Sequence, residues 1–228
     1  MAISIIIPTK NEELNITKLL DLLLLYFPQD TEIIISDAGS SDGTIEIIES
    51  YKDSRIKIIN GGLPSVGRNK GADVANSKYL LFIDADMIPT KELVDRTLEL
   101  VKESKYKLLG CRLNTKSSFK SKILYKLCNY SIFLSTFDKP FVVGGYFCIE
   151  SNLLHRLGGF DETVLHCEDY CLSSQVDVKD FYYMKEYVFT GDRRIEKMGF
   201  FGMLFYFAKN TIYRNQKKYF KNDVGYWK

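Results

Sequence analysis

Roughly the first ninety residues alternate short runs rich in β-branched residues with longer, helically patterned segments, and this alternation constrains the fold more than any other feature. Ile3 to Ile7 reads as a strand stopped by Pro8. The following Thr9-Lys10-Asn11-Glu12-Glu13 offers an Asn cap and early acids for a helix to about Phe27, whose leucines can cover a sheet face. Glu32 to Ser36, Arg55 to Asn60 and Tyr79 to Ile83 read as further strands. They are separated by a turn-rich segment that opens a helix through Tyr51, and by a helix start at Pro64. Strand and helix repeated in this way predict right-handed crossovers and an α/β fold with a Rossmann-like, mostly parallel sheet flanked by helices.

In such a sheet, ligands sit beyond the carboxyl ends of the strands where strand order reverses. With the first four strands ordered 3-2-1-4, Thr9 to Glu12, Asp37 and Asp84 to Asp86 rim one crevice. No Gly-x-Gly-x-x-Gly follows the first strand, which argues against a dehydrogenase. Asp84 and Asp86 emerge at i and i+2 from a strand end and can face the same side. A hard cation such as Mn²⁺ or Mg²⁺ takes one or two carboxylates while a diphosphate supplies further oxygens. Carboxylates alone would repel a diphosphate, so the acidic pair and the missing Gly-rich cradle both point to a metal–nucleotide seat. Taken in isolation, Asp-x-Asp is more often a plain turn, and Asp37 can equally be a turn residue ahead of a helix. Glu12 and Asp37 can accept hydrogen bonds from a base and a ribose, and Arg68, in the first turn of a helix, can meet phosphate.

With 228 residues, 46% of them hydrophobic, the chain can bury the core of one α/β domain, and a net charge of +2 gives no reason to expect nucleic acid. Five cysteines without Cys-x-x-Cys spacing suggest free thiols, and the absence of an export signal suggests a cytoplasmic protein. His166, Cys167 and Cys171 lack a fourth ligand for zinc. Thr90 to Lys102 reads as a helix, Lys107 to Arg112 as a strand and Phe119 to Phe137 as a helical stretch. In that stretch Phe119, Ile123, Leu127 and Tyr130 follow helical spacing and read as core or interface. Val142 to Ile149 reads as a strand in which Gly144 and Gly145 let backbone approach a ligand; with Tyr146 they are the expected acceptor-binding residues. Glu168 and Asp169 stand at a short helix start, where acids also suit the helix dipole.

Ser4 to Glu13, Asp37 to Thr44, Gly67-Arg68-Asn69, Asp84-Ala85-Asp86, Gly144-Gly145, Gly158-Gly159-Phe160-Asp161 and Glu168-Asp169 occur in the order found in family 2 glycosyltransferases of the GT-A fold, which residues 1 to about 197 resemble. The resemblance implies an inverting transferase that uses a nucleoside diphosphate sugar, UDP ahead of GDP, and a divalent metal. It implies a nucleotide site from Pro8, Thr9, Glu12, Asp37, Gly67, Arg68, Asp84, Ala85 and Asp86, with metal at Asp86 and Asp84. Asp169 would be the catalytic base beside Glu168, and Arg193-Arg194 a basic pair closing over the diphosphate. Ser173-Ser174-Gln175-Val176-Asp177 departs from the Gln-x-x-Arg-Trp pattern of processive synthases, which favours one sugar per encounter. Asp192, where an uncharged residue is the pattern, could touch metal or pair with the arginines. A sugar-phosphate nucleotidylyltransferase would need a Gly-rich loop with a basic residue after the first strand; a non-catalytic nucleotide-sugar-binding module is the other alternative.

The expected organisation is a nucleotide-binding half, 1–112, an acceptor and catalytic-base half, 113–197, and an apolar, basic helical extension, 198–228. Between Arg193 and Lys221 there are eight basic residues against Glu196 alone, a local +7. Met198 to Ala208 is apolar but its eleven residues fall short of the about twenty that span a bilayer. Residues 198–221 are therefore expected to pack on the domain, to form an oligomer contact, or to lie against a membrane surface where a lipid-linked acceptor would be met.

Overall fold

The computed structural model describes residues 2–222, the side chains of Arg194, Thr211 and Lys217 excepted. Strands β1 (Ile3–Thr9), β2 (Glu32–Asp37), β3 (Ile56–Asn60) and β4 (Tyr79–Ile83) alternate with helices α1 (Ile16–Tyr26), α2 (Thr44–Ser50) and α3 (Pro64–Val74). Then follow β5 (Ile88–Pro89), α4 (Lys91–Glu103), β6 (Leu108–Asn114), α5 (Phe119–Ser135), β7 (Tyr146–Glu150), α6 (Ser151–Arg156), α7 (Glu168–Ser173), β8 (Phe181–Phe189), α8 (Arg193–Ile212) and α9 (Lys217–Phe220). One eight-stranded sheet has the order β3-β2-β1-β4-β7-β6-β8-β5. The expected order of the first four strands holds. They pair in parallel, whereas β7 runs antiparallel to both β4 and β6, so the sheet is mixed.

β1 is apolar at nearly every position because both sheet faces are covered. Ile5 and Ile7 join α1 and α4 in one core, while Ile6 joins Phe82, Phe147 and Phe160 in the other. Each fully buried side chain of this kind contributes roughly 1.5–3 kcal/mol.

Three local readings change, and one strand is added. The first helix begins at Ile16 rather than after Asn11, because Asn11 adopts a left-handed conformation (φ 53°) and turns its amide to the neighbouring loop instead of capping. The strand expected from Val142 begins only at Tyr146, leaving Gly144 and Gly145 in the turn before it. β8 escapes strand patterning: its buried Phe181, Met184 and Val188 are spaced three and four apart, since a register shift opposite Gly110 and Arg112 resets the alternation. Finally, α5 forms as expected but Phe119, Ile123, Leu127 and Tyr130 point outward; Leu124, Tyr125, Cys128 and Ile132 pack inward instead. Apolar residues line both sides of this helix, so spacing alone could not choose the buried one.

Candidate active site

The carboxyl ends of β1, β2 and β4 converge as the topology requires, with Thr9 and Asp37 paired across β1 and β2. Between them lies a crevice of about 680 Å³, whose lining includes Pro8, Thr9, Glu12, Asp84, Ala85 and Asp86. Its rim is stitched by side chains. Asn11 accepts from the Ser41 N–H (2.8 Å), Glu13 from the Gly43 N–H (2.8 Å), and the Glu12 N–H donates to Thr44 Oγ1 (2.8 Å). Asp37 accepts from the N–H groups of Gly39 and Ser40 (both 2.9 Å), which shapes its own loop; its neighbour Ala38 lines the crevice.

Arg193, at the start of α8, reaches across this crevice. Its guanidinium donates to Glu12 (3.1 Å) and to Asp86 (3.0 Å), bridging the expected nucleoside and metal residues. The side chain of Arg194 lies outside the described residues. Lys197, one turn further on, also lines the crevice; sequence reading missed it, although its helical spacing from Arg193 was a usable signal. Asp192 accepts from Thr115 Oγ1 (3.0 Å) and Ser121 Oγ, tying the start of α8 to that of α5.

Arg68 is buried, 1% exposed, beneath the crevice rather than open to it. It donates to Asp84 (2.8 Å) and Glu168, and its guanidinium stacks 5.6 Å from the Phe160 ring centre. Burial alone would lower its pKa, but Asp84, Glu168 and Asp169 reverse that and hold it charged. Gly67 sits under Pro8 and Ser36, where it lets α3 approach the sheet. Asn69 exchanges hydrogen bonds with the Phe160 backbone (2.8 and 2.9 Å), and Gly159 (φ 73°) is needed there: a Cβ would stand 2.7 Å from Asn69 Oδ1. The Gly-Arg-Asn and Gly-Gly-Phe motifs are thus two halves of one joint.

A second cavity, about 110 Å³, shares Asp84 and Asp86 with the first and contains Glu168 and Asp169. Asp169 Oδ2 accepts from the Gly144 N–H (2.5 Å) and Oδ1 from the Tyr170 N–H (2.7 Å). Burial, then the neighbouring Glu168 charge, pushes the Asp169 pKa up to about 7, against the opposing pull of Arg68 and the two N–H groups. Gly144 and Gly145 line this cavity, but Tyr146 does not: its ring is fully buried and its hydroxyl lies 2.9 Å from Thr97 under α4. Strand alternation sends Tyr146 with Cys148 into the core opposite Phe147. The rest of the wall, Tyr125, Ile132, Phe141, Met203, Tyr206 and Phe207 among others, went unrecognised because apolar residues carry no local signature of a site.

Hard carboxylate oxygens suit Mn²⁺ or Mg²⁺, and Asp86 already attracts a cationic group, so the residues fit a divalent metal. Among the described residues no cluster of three or more His, Cys, Asp or Glu side chains forms a complete cage; further oxygens would have to come from a ligand or water. His166 faces the Tyr219 carbonyl and Cys167 the Tyr206 hydroxyl, away from any shared centre.

Residues 4–156 match the profile of glycosyl transferase family 2. The chain is 36% identical over 121 residues to the uncharacterized glycosyltransferase EpsJ of Bacillus subtilis, covering 51% of this chain and 35% of EpsJ. It spans about a third of that relative's length. Among solved structures, Staphylococcus aureus TarS in complex with UDP-GlcNAc superposes with a TM-score of 0.67 at 22% identity, covering 83% of this chain and 58% of TarS 1-349. The mannosyltransferase PcManGT of Pyrobaculum calidifontis, in complex with GDP-Man and Mn²⁺, gives 0.69 at 18% identity, covering 92% and 64%. The fold is therefore that of the GT-A glycosyltransferases, and the chain belongs to glycosyl transferase family 2.

Proposed function

We propose that the protein is an inverting, non-processive glycosyltransferase that moves a sugar from a nucleoside diphosphate sugar, UDP ahead of GDP, to a hydroxyl of a glycan or lipid-linked acceptor. One observation carries this reading: a polar crevice and a smaller cavity meet at Asp84 and Asp86, and the smaller one holds a carboxylate whose pKa lies near neutrality. The nucleotide sugars bound by TarS and PcManGT, and the Mn²⁺ bound by PcManGT, support the donor and metal class.

Glu12 and Asp37 would hold the nucleoside, and Asp86 with Asp84 a divalent cation. When bound, such a cation offsets charge on the departing diphosphate. Arg193 would exchange its carboxylate partners for that diphosphate, joined by Arg194. Asp169 would take the proton of the acceptor hydroxyl as it attacks the anomeric carbon from the face opposite the leaving group. The Gly144 N–H fixes that carboxylate, and the Glu168 pair with Arg68 fixes the turn that carries it. A positioned base of this kind contributes on the order of 10²–10⁴ in rate. A cytoplasmic location, with residues 198–221 against a membrane surface, belongs to the same reading.

The test is thermal unfolding with UDP, GDP and their sugar conjugates, with Mn²⁺ or with chelator. Nucleotide at a hundredfold excess over Kd stabilises by about 2.7 kcal/mol. Stabilisation should require the metal and weaken in Asp86→Asn by more than the roughly 10–100-fold that loss of an outer-shell partner costs. Absence of any nucleotide effect in the native protein sinks the proposal.

A further inference from the structure

Large exposed apolar side chains gather on two helices. On α5 they are Phe119, Ile123, Leu127, Tyr130 and Leu134, spaced three or four apart, with Phe137 continuing the line just beyond the helix. At 100° per residue this stripe stands opposite the inward face of Leu124, Cys128 and Ile132. α8 repeats the pattern. Phe201, Phe205 and Ile212 point outward, while Met203, Tyr206 and Asn210 face in. The inward faces of both helices line the same cavity that holds Asp169, so their outward faces both turn away from it.

Charge follows the same two segments. Residues 116–139 carry five lysines against Asp138 alone, a local +4, beside five basic residues and no acid between Met198 and Lys221; the rest of the chain is −7. Lys120, Lys122 and Lys126 are exposed and flank the α5 stripe. Among the described residues no helix is long and apolar enough to cross a membrane.

We infer that the outward faces of α5 and α8 together form a docking surface for an anionic lipid bilayer, on which the protein lies with both helices in the interface plane. Aromatic and aliphatic side chains enter the headgroup boundary, and the lysines meet lipid phosphate. A second copy of this chain is the poorer occupant, because it would bring two strongly basic faces together. Resting on the transferase reading, this surface also defines the acceptor class: since the docking helices wall the Asp169 cavity, the acceptor is a hydroxyl compound carried on a lipid.

The experiment is co-sedimentation of the full chain with vesicles of phosphatidylcholine alone and of phosphatidylcholine with phosphatidylglycerol, at low and high salt. The comparison variants are F201S/F205S and K120E/K126E, none of which lines either cavity. The native protein should bind the anionic vesicles, more weakly at high salt, and each variant should bind about tenfold less. UDP–Mn²⁺ thermal stabilisation, unchanged in both, certifies the fold. Native protein that ignores anionic vesicles at low salt, variants that bind equally well, or a dimer in light scattering that F201S/F205S dissolves each overturns the inference. Vesicle binding without any nucleotide effect would instead sink the transferase reading and leave the docking surface standing.

Discussion

The crevice at the strand ends and the smaller cavity beside it share Asp84 and Asp86 but are built by opposite means. The crevice is formed by strand ends whose loops are fastened through side-chain carboxylates, amides and hydroxyls, which two short motifs some thirty residues apart supply. The smaller cavity is walled mostly by apolar side chains from α5 and α8, helices that come together only through the tertiary fold. Polar fastening leaves a pattern that can be read directly; apolar walls do not. Asp169 stands at the polar end of that apolar wall, beside Glu168.

The sharpest way to break this comparison is Asp169→Asn. Transfer should fall by on the order of 10²–10⁴ while UDP binding stays unchanged, measured by steady-state rates and by titration. A loss below about tenfold would return the chemistry to the donor side alone. In the native protein the rate should climb with pH through about 7, where Asp169 loses its proton, and that rise should vanish in the variant.

Next in size is Arg68→Met, which takes the guanidinium from buried Glu168 and half-buried Asp84. Removing one partner of a buried ion pair costs about 3–5 kcal/mol, readable in denaturant unfolding. A small effect would mean that the two halves are not joined there.

A contrast within α5 tests its two faces. Leu124→Ala, on the packed side, should cost about 2–5 kcal/mol, whereas Leu127→Ala, half exposed, should stay within about 0.5 kcal/mol in the absence of lipid. Equal costs would show that the outward stripe is covered.

A further contrast between the two regions lies in stability against pH. Asp169 has its folded pKa raised, so its contribution is fully present below the unfolded value near 3.8 and is lost as pH rises through about 7. Asp169→Asn should therefore gain stability relative to the native chain at pH 8 and not at pH 4, compared by thermal unfolding.

The meeting of Glu12, Asp84 and Asp86 could be read from sequence because they are polar residues at the ends of apolar runs, where topology alone brings them together; Asp37 is turned instead to its own loop. Arg68 was found but given an outward role, since nothing local reveals that carboxylates 16 and 100 residues away draw it inward. Tyr146 was grouped with the two glycines before it, but it is the first residue of β7, and strand alternation turns its ring into the core beside Cys148. The outward stripe of α5 reads in sequence as core or interface, because a helix apolar on two sides offers two equally regular choices; its exposure excludes the core.

The bridge made by Arg68 has a consequence for how this protein can change. Asp84 comes from the first half of the chain and Glu168 from the second, yet one buried cation answers to both. Substitutions at positions 68, 84 and 168 should therefore be epistatic, with coupling of about 0.5–3 kcal/mol in double-mutant cycles. A chimera that grafts a foreign second half onto this first half would keep both partners of Arg68 only if a carboxylate arrives at position 168, so the second half cannot be exchanged as a free module.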